Sequence, residues 1–282
     1  MLAGSTALAF GPWMVRLADV PPAASAFWRL ALAFGPLLVL ARIVAGSTAN
    51  LVQRLDTRTI ALTALAGLFF AADLLVWHLG IIRTTLANAA LLANAASFLL
   101  PLWGFVVLGH RPGKKALVAI ALALAGTLLL IGQSAEVSTQ HFVGDLLCLG
   151  AALLYTGYLI TVDRVRGTVA ALPLLALSTL AGAAALLPFA LASGKFWPGD
   201  WTPLLLLALG SQVVGQGLIV YAVGYLRPLV VGLALLVQPA ISAIIGALRF
   251  GEIPGGIEFA GAALVVAALV LVRLPEQRTA PD

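Results

Sequence analysis

Asp73 is a carboxylate in the middle of a membrane-length apolar run, Gly67-Leu-Phe-Phe-Ala-Ala-Asp-Leu-Leu-Val-Trp-His78. Residues three or four apart share one face of a helix, so Phe70, Asp73 and Trp77 form a stripe with His78 beside it. Such a stripe can stack a ring on Trp77 and meet an ammonium or a carboxylate with Asp73 or His78. The following run carries Asn88, Asn94, Ser97 and Pro101, and a later one places Gln238, Ser242 and Ile245 in a similar row. Gln212 and Gln216 stand one turn apart ahead of Tyr221, and Tyr155 and Tyr158 are three apart. Arg29 is a further intramembrane charge. Charged groups at such depth cost about 2.5–3.5 kcal/mol each on insertion scales, so they face protein or a wet cavity.

Each group also has a plainer use. Asp73 can pair with Arg29 and lock two helices together. The amides and hydroxyls can make helix-to-helix hydrogen bonds, each worth about 0.6 kcal/mol in membranes. Trp13, Trp197 and Trp201 lie near run ends and fit an interfacial belt, whereas Tyr155 and Tyr158 lie deeper. The expected substrate-binding set is Asp73, Trp77, His78, Asn94, Tyr155, Tyr158, Gln212, Gln216, Tyr221, Gln238 and Ser242, with an intramembrane ion pair between Arg29 and Asp73. No catalytic residue, metal ligand or cofactor is expected.

The elements that position these residues follow from composition. With 62% hydrophobic and 10% charged residues and a mean hydropathy of +1.08, the chain cannot bury its apolar surface as a soluble fold, which would carry about 25% charged residues. Sixteen Lys and Arg against 11 Asp and Glu are scattered through short loops, not gathered into a patch, so a nucleic-acid partner is not expected. Cys148 is a lone cysteine in an apolar segment, which leaves no disulfide framework.

Apolar runs fall at 1–17, 23–45, 58–80, 85–108 and 116–133, then at 142–161, 170–192, 201–223, 228–248 and 257–273. The first lacks a basic n-region and cleavage site and is read as a retained span. Ten crossings with a cytoplasmic amino terminus leave eleven Lys and Arg in inside loops and four outside, Arg16, Arg83, Lys195 and Arg249, so both termini are expected inside. Abundant Gly and Ala allow close helix packing, and Gly11-Pro12, Gly35-Pro36 and Pro188 are expected to break or kink their helices.

The halves echo each other. Gly109-His-Arg-Pro-Gly113 answers Gly251-Glu-Ile-Pro-Gly255 at a shift of 142, and Trp77-His-Leu-Gly-Ile-Ile-Arg83 answers Tyr221-Ala-Val-Gly-Tyr-Leu-Arg227 after a two-residue slip. Five spans per half is an odd number, so the second half crosses upside down, with the site at the midplane between inverted halves. On these turns and this duplication the chain resembles EamA-type members of the drug/metabolite transporter superfamily, and within it the YddG-type exporters of aromatic amino acids. The second half carries that family's proline, small and aliphatic run and Gly-Glu as Pro239 through Gly251-Glu252, while the first half has Ser97 for the proline and His110 for the glutamate. The resemblance implies an all-α integral membrane protein of ten transmembrane helices, as two inverted five-helix repeats (1–135 and 142–275) around a central cavity, with a cytoplasmic tail at 276–282. It implies a monomeric, multi-pass bacterial inner-membrane exporter of amino acids, aromatic and other neutral ones favoured, or similar small metabolites, working by alternating access.

No His-Glu-x-x-His, phosphate loop or nucleophile elbow occurs, which makes an intramembrane enzyme the alternative from a different class. Phosphorylated substrates would call for several buried cations, and only Arg29 is well placed. The small multidrug-resistance proteins resemble this chain in helix arrangement and couple export to protons through a glutamate in the first helix, but the first run here contains no acid. Pairing with Arg29 is expected to keep Asp73 charged, hence uncoupled movement. A proton-coupled drug or metabolite exporter is the alternative.

Overall fold

The computed structural model describes residues 2–45, 56–96, 99, 103, 114–223 and 237–273. Every element among them is helical and none is a strand. A helix satisfies its own backbone, which is what an apolar surrounding demands. The chain runs through α1 (Leu2–Ala9), α2 (Gly11–Leu17), α3 (Pro22–Ala45), α4 (Thr57–Ile81), α5 (Leu86–Ala93), α6 (Lys114–Val137), α7 (Thr139–Arg166) and α8 (Ala171–Ala192). Then come α9 (Thr202–Leu206), a π-helical segment (Leu207–Gln216), α10 (Gly217–Val223), α11 (Val237–Phe250) and α12 (Gly256–Arg273). Among the described residues, five stretches are long and apolar enough to cross a membrane, at Pro22–Ile43, Thr57–Ile81, Thr139–Arg166, Ala171–Ala192 and Thr202–Tyr221, with shorter apolar helices at Leu117–Leu129 and Gly256–Ala268. Ser97, Pro101, the 109–113 turn, Arg227 and the 276–282 tail lie outside the described residues.

Local chemistry sets the helix ends. The Asp56 carboxylate accepts from the Thr59 N–H at 3.1 Å, the Thr85 hydroxyl from the Asn88 N–H at 3.2 Å and the Ser138 hydroxyl from the His141 N–H at 3.1 Å. Each supplies an acceptor to a first-turn donor that has no partner within its helix. Of the three proline sites, only Gly11-Pro12 separates two helices; α3 continues through Pro36 and α8 through Pro188. Gly251 has a φ of +67°, a left-handed conformation that side chains disfavour, and it turns the chain after α11 so that the Glu252 N–H reaches the Gly246 carbonyl at 3.1 Å.

Helices from the two parts of the chain pack against one another. α4 lies along α7 and α8, α3 along α8, and α6 along α12. α1 packs on the π-helical segment and on α11, while α5 packs on α11 and α7. Small residues permit the closest of these approaches: a Cβ added at Gly67 of α4 would stand 2.5 Å from the Ser178 carbonyl oxygen of α8. Close backbone packing of this kind is how helices associate where lipid is as apolar as the side chains. Phe70, Leu74, Tyr158 and Leu186 fill the α4–α7–α8 core that results.

Candidate functional site

Four elements meet in a buried layer that contains most of the polar groups named above. On α4, Phe70, Asp73 and Trp77 share one stripe, and α7 faces it with two tyrosines. Phe70 stacks on Tyr158 with ring centroids 4.8 Å apart, and Tyr158 stacks on Tyr155 at 5.6 Å. The π-helical segment contributes two buried amides: Gln216 Nε2 donates to Tyr155 Oη at a long 3.4 Å, and Gln212 Oε1 accepts from Arg29 Nε at 3.2 Å. The Arg29 guanidinium lies 5.8 Å from the centre of the Trp77 ring, within reach of a cation–π attraction. Arg29 is 2% exposed and Asp73 7%. Trp77 and Tyr155 are only partly buried, Trp77 in the last turns of α4 and Tyr155 in the middle of α7.

The direct ion pair expected between Arg29 and Asp73 does not form among the described residues. The guanidinium directs its Nε to Gln212, and Asp73 acts on it only through its field. The reason is positional: the π-helical segment brings an amide to the place a carboxylate was expected to occupy. His78 is fully enclosed 6.0 Å from the Trp77 ring, and neither of its ring nitrogens has a hydrogen-bond partner.

Other expected site residues are spent elsewhere. Asn94 donates to the Ala90 carbonyl of its own helix at 2.8 Å, and the Ser242 hydroxyl donates to the Ala9 carbonyl at 3.2 Å, tying α11 to α1. Tyr221 is 60% exposed near the end of α10, outside the buried layer. Gln238 is half-buried in the first turn of α11. The layer therefore brings together Arg29, Asp73, Trp77, Tyr155, Tyr158, Gln212 and Gln216, and leaves Asn94, Ser242 and Tyr221 apart from it.

The family model described as the EamA-like transporter family matches residues 1–132 and again 142–274. The chain belongs to the EamA-like transporter family. This EamA-like chain is 26% identical over 195 residues to an uncharacterized transporter of Archaeoglobus fulgidus, a match covering 67% of each chain. A solved structure titled only as the crystal structure of a protein superposes with a TM-score of 0.66 over 96% of this chain and 92% of that one, at 20% identity, which is a likeness of fold. Family membership and the apolar helices make this a multi-pass membrane protein of transporter type.

The EamA-like chain also carries a polar end plate that sequence reasoning did not assemble. Arg16, at the end of α2, pairs with Glu252 and donates to the carbonyls of Ile81 and Thr84, while the second Glu252 oxygen accepts from the Leu86 N–H that opens α5, at 2.8 Å. Nearby, the buried Asp145 carboxylate accepts from the Thr84 hydroxyl and from Asn88 Nδ2. Asp19 accepts from Lys195 and from the Gly199 N–H, both at 2.8 Å, and that ammonium with that N–H holds its carboxyl below the ordinary value of 3.8. The Arg16 bonds to Ile81 and Thr84 lie within the first matched stretch, and each of the others joins that stretch to the second. Gly251-Glu252 was singled out as a family turn, but nothing in its spacing named Arg16 as its partner.

Proposed function

We propose that this protein exports amino acids, aromatic and other neutral ones favoured, or similar small metabolites, across the bacterial inner membrane by alternating access between two inverted five-helix halves. The observation that carries the reading is the buried layer itself. Arg29, Asp73 and Trp77 come from the first matched stretch, and Tyr155, Tyr158, Gln212 and Gln216 from the second. Rings and a few polar groups on apolar walls are the mixture that small-molecule sites use. A site shared by two halves is exposed to one side or the other when the halves rock. Inversion is supported by how contacts come in mates: α4 on α7 is answered by the π-helical segment on α1, and α5 on α7 by α11 on α1. The end plate gathers Arg16 and Lys195 with Glu252 and Asp19, the side read as external from the count of loop charges.

The absence of a direct Arg29–Asp73 contact favours a second reading of the driving force over uncoupled movement. A carboxylate with no cation bonded to it among the described residues can exchange a proton for the ammonium of a substrate, which is how proton coupling would arise at Asp73. Purified protein in liposomes tests both points. Counterflow of labelled amino acids is expected, with drugs and phosphorylated sugars inert; counterflow of neither amino acids nor related metabolites would remove the transport reading. Under an imposed pH gradient alone, accumulation above equilibrium that vanishes in Asp73→Asn establishes coupling, and simple equilibration restores the uncoupled reading.

A further inference from the structure

The strongest unexplained feature of the layer is a pair of buried donors without acceptors. Arg29 uses Nε on Gln212, yet its Nη1 is buried with no hydrogen-bond partner. Gln212 turns its oxygen to Arg29, which leaves its Nε2 buried and unpartnered as well. The two residues are 2% and 0% exposed. Nearly all buried polar groups in folded proteins find a partner, and an unmet charged donor is the most costly kind to leave. One guanidinium N–H and one amide N–H, held together by the Arg29–Gln212 bond, form a two-pronged donor set that lacks only its acceptor.

The shape and charge of the set decide what fits. A guanidinium recognises planar oxyanions by parallel N–H···O bonds, and a carboxylate offers two oxygens for the two free prongs. A phosphate group carries up to about two negative charges and calls for more cations. Among the other described cations, Arg16 pairs with Glu252, Lys195 with Asp19 and Arg83 donates to the Leu79 carbonyl, while Arg166, which has an unpartnered Nε, lies at the far end of α7 and donates to the Val220 carbonyl. Asp73 in the same layer would also repel a dianion, whereas it favours a ligand whose other end is cationic.

We propose that Arg29 and Gln212 form a clamp for the carboxylate of a small zwitterion, with Asp73 left to meet its cationic end. This deepens the transport reading by assigning which atoms of the substrate the site holds. The side chain of the ligand then falls toward Trp77 and the Tyr155–Tyr158 stack, where ring contacts tolerate several shapes. Selectivity accordingly resides in the backbone-like end of the ligand more than in its side chain.

Binding to purified protein, measured by thermal shift and by competition against a labelled amino acid, tests the clamp independently of flux. The probes are the twenty amino acids, with phenylalanine compared against 3-phenylpropionate, which lacks the ammonium, and phenethylamine, which lacks the carboxylate. Phenylalanine is expected to bind, and phenethylamine to bind at least about tenfold more weakly than phenylalanine, the scale of one lost charge-assisted pair; 3-phenylpropionate, which keeps the carboxylate, loses only what Asp73 contributes. Arg29→Gln is expected to erase that preference. Gln212→Glu places a carboxylate against the guanidinium from within the protein, so it should lose amino-acid binding while melting no lower than the wild type; this variant keeps the test decisive if Arg29→Gln does not fold. Binding of phenethylamine as tight as that of phenylalanine, wild-type binding by Gln212→Glu, or no shift with any of the probes overturns the proposal. Flux without carboxylate preference would remove the clamp and keep the transporter, whereas carboxylate-dependent binding without flux would do the reverse.

Discussion

Gly67→Ala tests whether the site is positioned by the backbone contact between α4 and α8. The added Cβ would lie 2.5 Å from the Ser178 carbonyl oxygen, 2.7 Å from the Ala181 Cβ and 3.0 Å from the Gly182 nitrogen. Two of these three neighbours are backbone atoms, which no rotamer change can move, so the helices must separate. Overpacking of this kind costs about 1–3 kcal/mol, and the rigidity of the neighbours puts this site toward the upper end. Against that, alanine in a helix interior gains about 1 kcal/mol over glycine. The net expectation is a loss of about 1–2 kcal/mol, read as a melting temperature lower by roughly 2–8 °C. Gly150→Ala is the matched control, since its Cβ would meet only Val76 Cγ1 at 3.8 Å, and it should melt at or above the wild type. Thermal unfolding of the purified variants in one detergent provides the comparison. A Gly67→Ala protein as stable as the wild type, or a Gly150→Ala protein destabilised equally, would refute the close approach.

Two further outcomes concern the end plate. Glu252→Gln keeps the shape of the side chain but removes the charge that Arg16 pairs with, at side-chain exposures of 14% and 18%, so a loss of about 1.5–3 kcal/mol is expected in thermal or denaturant unfolding. No loss there would mean that Arg16 is held by the Ile81 and Thr84 carbonyls alone. For Asp19, the folded-state value lies below the ordinary 3.8, so its tie to Lys195 contributes fully above that value and is lost as pH falls through the lower one. The melting difference between wild type and Lys195→Met should stay constant from about pH 5 to 8 and shrink only below about 3.8; a difference that changes near neutrality would contradict this assignment.

The helical architecture was legible because it depends on apolar run length and helix-breaking residues, both local properties of the chain. The aromatic and acidic stripe on α4 was legible for the same reason, since Phe70, Asp73 and Trp77 obey a helical period that α4 preserves. Rotation of one helix against another is not local, and there the expectations parted from the structure. Arg29 and Asp73 announced two opposite charges at similar depth, but which neighbour each would bond depended on how the eighth run turned. That run contains a ten-residue π-helical segment, a wider coil that an apolar pattern does not reveal, and it delivers Gln212 to Arg29. Asn94 satisfies itself on the carbonyl four residues back, a local option open to any short polar side chain in a helix, whereas Ser242 bonds across to the Ala9 carbonyl of another helix, which local spacing could not announce. The Arg16–Glu252 pair spans 236 positions of sequence and left no trace in local spacing.

The hydrogen bond between Arg29 and Gln212 closes across 183 positions of sequence, and that separation is also a delay in time. At roughly 5–20 residues per second of synthesis, Gln212 emerges about ten to forty seconds after Arg29. For that interval α3 and α4 are already made, with a cation and a carboxylate that the finished protein does not join directly. The Arg29 side of the layer is therefore synthesised well before the amide that it donates to, and the layer can close only once the second half has been made.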